Sequence, residues 1–138
     1  MLKEIAVKLR SMQLAYQAMH NLSKGSNFYA DHEALSGYYD AVSADYDMVI
    51  ERAINTEGQE VADLKPQLKA IYNEIKDLKC EVSSNDEFFQ QAIKMEKELC
   101  AKIESHIKSG CSAGVEQLIG DIANKSEGRQ YLINRRLK

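Results

Sequence analysis

Two histidines and two carboxylates stand out by their spacing. His20 and His32 lie 12 residues apart across a Gly-centred turn, and Asp47 and Glu51 follow 15 and 19 residues after His32 as an i,i+4 pair. Imidazole and carboxylate together suit iron, zinc or manganese, and the mixture is harder than a thiolate site. Each residue also has an ordinary reading: an i,i+4 Asp/Glu pair is usually a solvated helix face, and a histidine in an apolar stripe is usually a satisfied core residue. The third histidine, His106, falls in the last turn of an expected helix, where a role at the helix end outweighs one as a ligand.

The elements that must position these residues read as helices. From Leu2, apolar residues recur in steps of three and four through Ile5, Leu9, Met12, Tyr16 and Met19, which predicts a first helix ending near Asn21 or Leu22. Ser23 to Asn27 reads as a turn in which Gly25 is free to take positive φ and Ser26 or Asn27 can cap the next helix. That second helix carries Phe28, His32, Leu35, Tyr39, Val42, Tyr46, Val49 and Ala53, so His32 occupies a core-stripe position and must find a partner. Gly37 weakens this helix, and the pattern fades after Arg52.

A third helix is expected within residues 59–83 on Leu64, Leu68, Ile71, Ile75, Leu78 and Val82, with Asp63 as cap and Pro66 in its first turn. Ser84 and Glu87 form a capping-box signature for a fourth, which runs to a stop at Gly110. Val115 to Lys138 reads as a last helix, weakened by Gly120 and Gly128. The 138 residues are expected to form one all-α domain, with a core large enough to need no staple.

Net charge is −3, so no global positive field favours nucleic acid, and the tip formed by Arg135, Arg136 and Lys138 is expected to complement a helix dipole. Cys80, Cys100 and Cys111 have no motif spacing, and neither a signal peptide nor a bilayer-spanning run is expected. A reducing cytoplasm is the simplest home.

Geometry constrains any metal site. If the first two helices form an antiparallel hairpin, His20 and His32 meet beside the turn. Asp47 then lies about 22 Å along the same helix from His32, at 1.5 Å per residue, beyond the reach of one metal. A site becomes possible when the second helix packs antiparallel on its copy about a two-fold axis, so that one chain's histidines face the other chain's carboxylates. The expectation is an intersubunit site, or no site.

The run HNLSKGSNF, then DHE, YD, DYD and IERA resembles the Dps group of ferritin-like miniferritins, whose pattern is His-Trp-Asn-Val-x-Gly-x-x-Phe, His-Glu and Asp-x-x-x-Glu-Arg. The resemblance covers residues 16 to 56 by motif and the remainder by helix order. It implies a ferritin-like four-helix bundle with an additional helix in the long crossover between bundle helices two and three. It also implies a hollow twelve-subunit shell, built from two-fold dimers, that binds Fe(II), oxidises it preferentially with hydrogen peroxide and stores the ferric product. By matching position, His20, His32, Asp47 and Glu51 are the metal ligands, with Zn a possible substitute for Fe. Asp47 and Glu51 would also act in the oxidation, Glu51 bridging towards a second iron. Glu116 and Asp121 are candidates for lining a pore.

The chain departs from the family pattern in four ways. Ser36 stands where the family commonly has an Asp, weakening a second metal position unless Glu33 or Asp40 compensates. Asn21 replaces the Trp after the first His, and Tyr16, Tyr39 and Tyr46 are the aromatics that could take up oxidising equivalents. The crossover helix looks longer than usual. The basic N-terminal tail of DNA-binding members is missing, so DNA binding is expected to be weak or absent. Two other expectations compete: a ferritin-like structural or interaction protein that has lost turnover, and a helical adaptor in which both histidines only pack.

Overall fold

A computed structural model describes residues 1–138. All regular structure is helical: α1 (Leu2–Leu22), α2 (Phe28–Glu57), a 3-10 turn (Gln59–Ala62), α3 (Leu64–Ile75), α4 (Asn85–Lys108) and α5 (Ala113–Leu137). No helix is long and apolar enough to cross a membrane. The turn between α1 and α2 closes on Gly25 at φ +87°, where a side chain would be strained. Gly110, at φ +92°, ends α4 in the same way.

Side-chain pairings fix how the four long helices run. Glu57, the last residue of α2, caps the start of α1, accepting from Leu2 N–H at 2.7 Å and Lys3 N–H at 3.3 Å. At the other end His20 meets His32, so α1 and α2 are antiparallel. Lys24 binds Asn85 while Lys8 pairs with Glu98, which makes α1 and α4 antiparallel too. Arg129 with Glu96 and Arg136 with Asp86 set α5 antiparallel to α4, and Lys125 with Asp45 and Arg136 with Asp31 set it antiparallel to α2. In chain order the directions are therefore up, down, down, up. The connection from α2 to α4 must return along the length of the molecule, and the 3-10 turn, α3 and residues 76–84 make that return.

One apolar core joins the four helices, with Leu9, Met12, Tyr16, Leu35, Val49, Phe88, Leu99, Ile103, Ile119 and Ile122 among its buried members. Glu96 lies inside it at 0% exposure. Its carboxylate accepts from Arg129 Nε (2.7 Å), Arg129 Nη2 (3.0 Å), Ser126 Oγ (2.7 Å) and the Tyr16 hydroxyl. A buried charge without such partners would be prohibitive.

The third helix is shorter than its apolar spacing predicts. It stops at Ile75, and residues 76–84 leave the helical path because α4 offers them other partners. Gln91 brackets Lys79, accepting its N–H at 2.7 Å and donating to its carbonyl at 3.0 Å, and Glu87 accepts from Ser83 N–H at 2.7 Å. Leu78 and Val82 still reach the core from this irregular segment. The buried line of α3 also differs, being Gln67 and Ile71, whereas Leu64, Leu68 and Tyr72 are exposed. Gln67 is drawn inward by the hydroxyl of Tyr46, to which it donates at 2.9 Å.

A second buried carboxylate ties together the end of the molecule that carries the histidines. Asp31 receives Arg136 Nε and Nη2, both at 2.9 Å, and Asn85 Nδ2 at 3.0 Å, while Asn85 also spans the backbone of Lys24. Burial pushes the Asp31 carboxyl upward, but the Arg136 and Asn85 hydrogen bonds outweigh it and hold the group below its ordinary value. A depressed carboxylate contributes stability above its unfolded value of about 3.9, and the contribution is lost as pH falls through the lower folded value. Asp31→Asn should therefore cost about 2 kcal/mol at neutral pH, below the usual loss for a buried pair because Arg136 is partly exposed and keeps Asp86. Urea unfolding across a pH series should show that deficit shrinking below about pH 4.

Candidate metal centre

α1 and α2 bring His20 and His32 into direct contact across the turn. Their rings stack with centroids 3.6 Å apart and planes inclined by 20°, and Phe28 stacks on the other face of His32 at 4.9 Å. Each ring also binds the other residue's backbone. His20 Nδ1 lies 2.8 Å from the carbonyl oxygen of His32, and His32 Nδ1 lies 2.8 Å from the carbonyl oxygen of His20.

A carbonyl oxygen can only accept, so both Nδ1 atoms must carry the proton and donate it. In the neutral rings that places a lone pair on each Nε2, and neither Nε2 has a hydrogen-bond partner in the chain. Metal-binding histidines are commonly held in this way, with one ring nitrogen donating to a backbone carbonyl and the other facing the metal. Two free imidazole nitrogens are donors of the kind a divalent transition metal takes, but only part of a ligand set. Both rings are half-buried, restrained by stacking yet open to solvent.

Asp47 and Glu51 sit elsewhere on α2. Both are exposed, and neither is in an ion pair within the chain. The unbroken helix from Phe28 to Glu57 holds Asp47 about 22 Å of rise from His32. Within one chain no three His, Cys, Asp or Glu side chains come together as a ligand set. The structure thus joins the two histidines and leaves the two carboxylates apart from them.

The other named residues divide in the same way. Glu33 and Asp40 are exposed on the α2 face that bears Asp47 and Glu51, and Gly37 and Ala44 on that face are exposed as well. Ser36 is half-buried, and Glu116 and Asp121 are exposed on α5. His106 lies in the last turn of α4, and all three cysteines are free, with only Cys80 exposed. Of the tyrosines, Tyr46 is committed to Gln67 and lies under the Arg10 guanidinium at 4.8 Å, Tyr39 is half-buried, and Tyr16 is fully buried against Glu96. Sequence reasoning missed Glu96 and Asp31, although a Glu and an Asp falling on the buried side of their helices could have signalled them.

Compared with known protein families and with characterised proteins, the sequence finds no match to a family model and no match to a characterised protein.

The tautomer is directly measurable. In the metal-free protein at mildly alkaline pH, long-range ¹H–¹⁵N spectra should place the proton of both His20 and His32 on Nδ1, the less common form of free imidazole. Protonation at Nε2 in either ring would contradict the carbonyl geometry.

Proposed function

We propose that this chain is the subunit of a ferritin-like, Dps-type assembly that binds Fe(II) at intersubunit sites, oxidises it, preferably with hydrogen peroxide, and stores the ferric product. The observation that carries this reading is the His20–His32 pair: two imidazoles locked as Nδ1 donors with both Nε2 atoms free. The up, down, down, up helix order with a helix in the long return is the connectivity of a ferritin-like bundle and supports the same reading.

The carboxylates come from a second subunit. A two-fold axis near the middle of α2 sets one helix antiparallel to its copy, with His32 of one chain opposite Asp47 of the other. Gly37 has no neighbour within 4 Å of where a Cβ would lie, and Ala44 is small, so the exposed α2 face allows close helix approach. Leu64 (64% exposed), Leu68 (57%) and Tyr72 (64%) form an apolar stripe on α3 that subunit contacts would cover.

In this arrangement His20 and His32 hold the iron substrate through Nε2, Asp47 of the partner chain completes its ligands, and Glu51 reaches towards a second iron. Oxidation adds charge to the iron, and the carboxylates offset it. Ser36 in place of an acid leaves the second position poor in ligands and favours the competing reading, a structural ferritin-like protein that holds Zn tightly without turnover. DNA binding is not part of the proposal, because the acidic chain offers few phosphate contacts.

The test mixes two inactive variants, His32→Ala and Glu51→Ala, each of which alone should lose peroxide-driven Fe(II) oxidation. In a refolded equimolar mixture half of the dimers are heterodimers with one intact site of two, so about a quarter of wild-type activity should return. No recovery, from variants whose assembly mass by light scattering matches wild type, would exclude a shared site. Leu68→Glu should reduce the assembly mass without unfolding the chain, since Leu68 contributes little to the core.

A further inference from the structure

Near mid-height of the bundle, polar side chains from three helices are already joined. Tyr16 of α1 and Ser126 and Arg129 of α5 all donate to the carboxylate of Glu96 on α4, which takes both Arg129 Nε and Nη2. A guanidinium is a planar, rigid fork, so with Nε and Nη2 on Glu96 the remaining nitrogen, Nη1, points away from it. Arg129 is buried, and its Nη1 donates to no acceptor in the chain.

The fourth helix brings the complementary deficit. Asp45 of α2 is 0% exposed; its Oδ1 accepts from Lys125, while Oδ2 is buried with no hydrogen-bond partner. Lys125 is half-exposed, and its ammonium serves that one oxygen only. Asp45 and Arg129 form no direct ion pair, yet Asp45 stands near enough for its charge to raise the proton affinity of the guanidinium. A buried carboxylate oxygen without a donor is costly enough that folded proteins rarely keep one.

We propose that a single internal water molecule binds between Asp45 Oδ2 and Arg129 Nη1 and ties α2 into the polar layer of the other three helices. Two requirements select water. The occupant must accept a hydrogen bond from Nη1 and donate one to Oδ2, which no alkali cation, ammonium ion or halide does. It must also be neutral, because the charges of the layer already cancel, Asp45 against Lys125 and Glu96 against Arg129. A further ion there would be buried and unpaired. No three acid, imidazole or thiol side chains converge at this place, so it offers a metal no ligand set.

The consequence falls on α2. Its only side-chain hydrogen bonds to α5 are those of Asp31 with Arg136, at the histidine end, and of Asp45 with the half-exposed Lys125. The bridging water adds an inner link beside the second of these. All four long helices are then held through one hydrogen-bonded layer: α1 by Tyr16, α4 by Glu96, α5 by Arg129 and α2 by Asp45. Waters buried in this way bond to about two to four otherwise unsatisfied polar groups and belong to the fold. The site forms within one chain and does not depend on the proposed assembly or its iron.

The experiment joins a crystal structure of the wild-type protein, grown in a rubidium salt, to oxygen-17 magnetic relaxation dispersion in solution. The map should show one ordered water within about 3.2 Å of both Asp45 Oδ2 and Arg129 Nη1, with no anomalous rubidium signal there. In solution, wild type should hold one more long-lived water per chain than the double variant Asp45→Leu/Lys125→Met, in which apolar side chains replace both charges and leave no orphaned oxygen. Rubidium at the site, a direct hydrogen bond from Nη1 to Oδ2 with no water between, or equal numbers of long-lived waters in wild type and a folded variant would each overturn the proposal. Should the variant fail to fold, the wild-type map decides alone.

Discussion

The persistence of α2 as one uninterrupted helix is the constraint on which the rest depends. Thirty residues rise together from Phe28 to Glu57, so groups on this helix keep their separation whatever their side chains do. His32 and Asp47 cannot meet within a chain. The carboxylates are accordingly exposed and unpaired, although ion pairs elsewhere absorb Asp31, Asp45, Glu74, Glu96 and Glu98. The proposed dimer would give Asp47 and Glu51 partners that a single chain does not offer.

Rigidity at the histidine end has a different source. Asp31 is the residue before His32, about 100° around the helix, and it turns inward to Arg136 and Asn85 while His32 turns towards α1. The α1–α2 turn, the start of α4 and the end of α5 are thereby fastened at one buried carboxylate. The reciprocal imidazole–carbonyl bonds then need only small adjustments to persist, because the two backbones are already held in register. Breaking such a buried pair costs more than the pair itself contributes, since the orphaned charge remains inside. The same reasoning applies to Glu96, which fixes α1, α4 and α5 relative to one another at mid-core.

Helix positions were legible in the sequence because burial at three- and four-residue steps is a strong periodic signal. α1, α2 and the starts of α4 and α5 lie where that signal puts them. It failed on α3, where Leu64 and Leu68 look like core residues but face outward while Gln67 faces in. Periodicity identifies an apolar line without saying whether the line meets its own chain or another. It also failed from Lys76 onward, because the Gln91 amide that captures Lys79 lies 12 residues away. Ser84 occupies the expected cap position, but its side chain makes no capping bond, and Glu87 reaches Ser83 instead. The meeting of His20 and His32 was readable from the turn length. Their mutual bonding to backbone carbonyls was not, since it depends on ring orientation.

Assembly and metal loading are coupled in this scheme by more than proximity. A preformed histidine pair in each chain offers two of the metal's ligands at little ordering cost, and the remaining ligands exist only when a second chain is present. A metal bound across the interface therefore stabilises the dimer by mass action, and dimerisation raises metal affinity by the same factor. In the proposed dimer the acids exposed on α2, Glu33, Asp40, Asp47 and Glu51, would repel their copies across the two-fold axis and weaken the metal-free interface. Burial of Leu64, Leu68 and Tyr72 in that proposed assembly would oppose the repulsion independently of metal. In the proposed assembly, the balance between these two opposing contributions would decide whether a shell forms before iron binds or only with it.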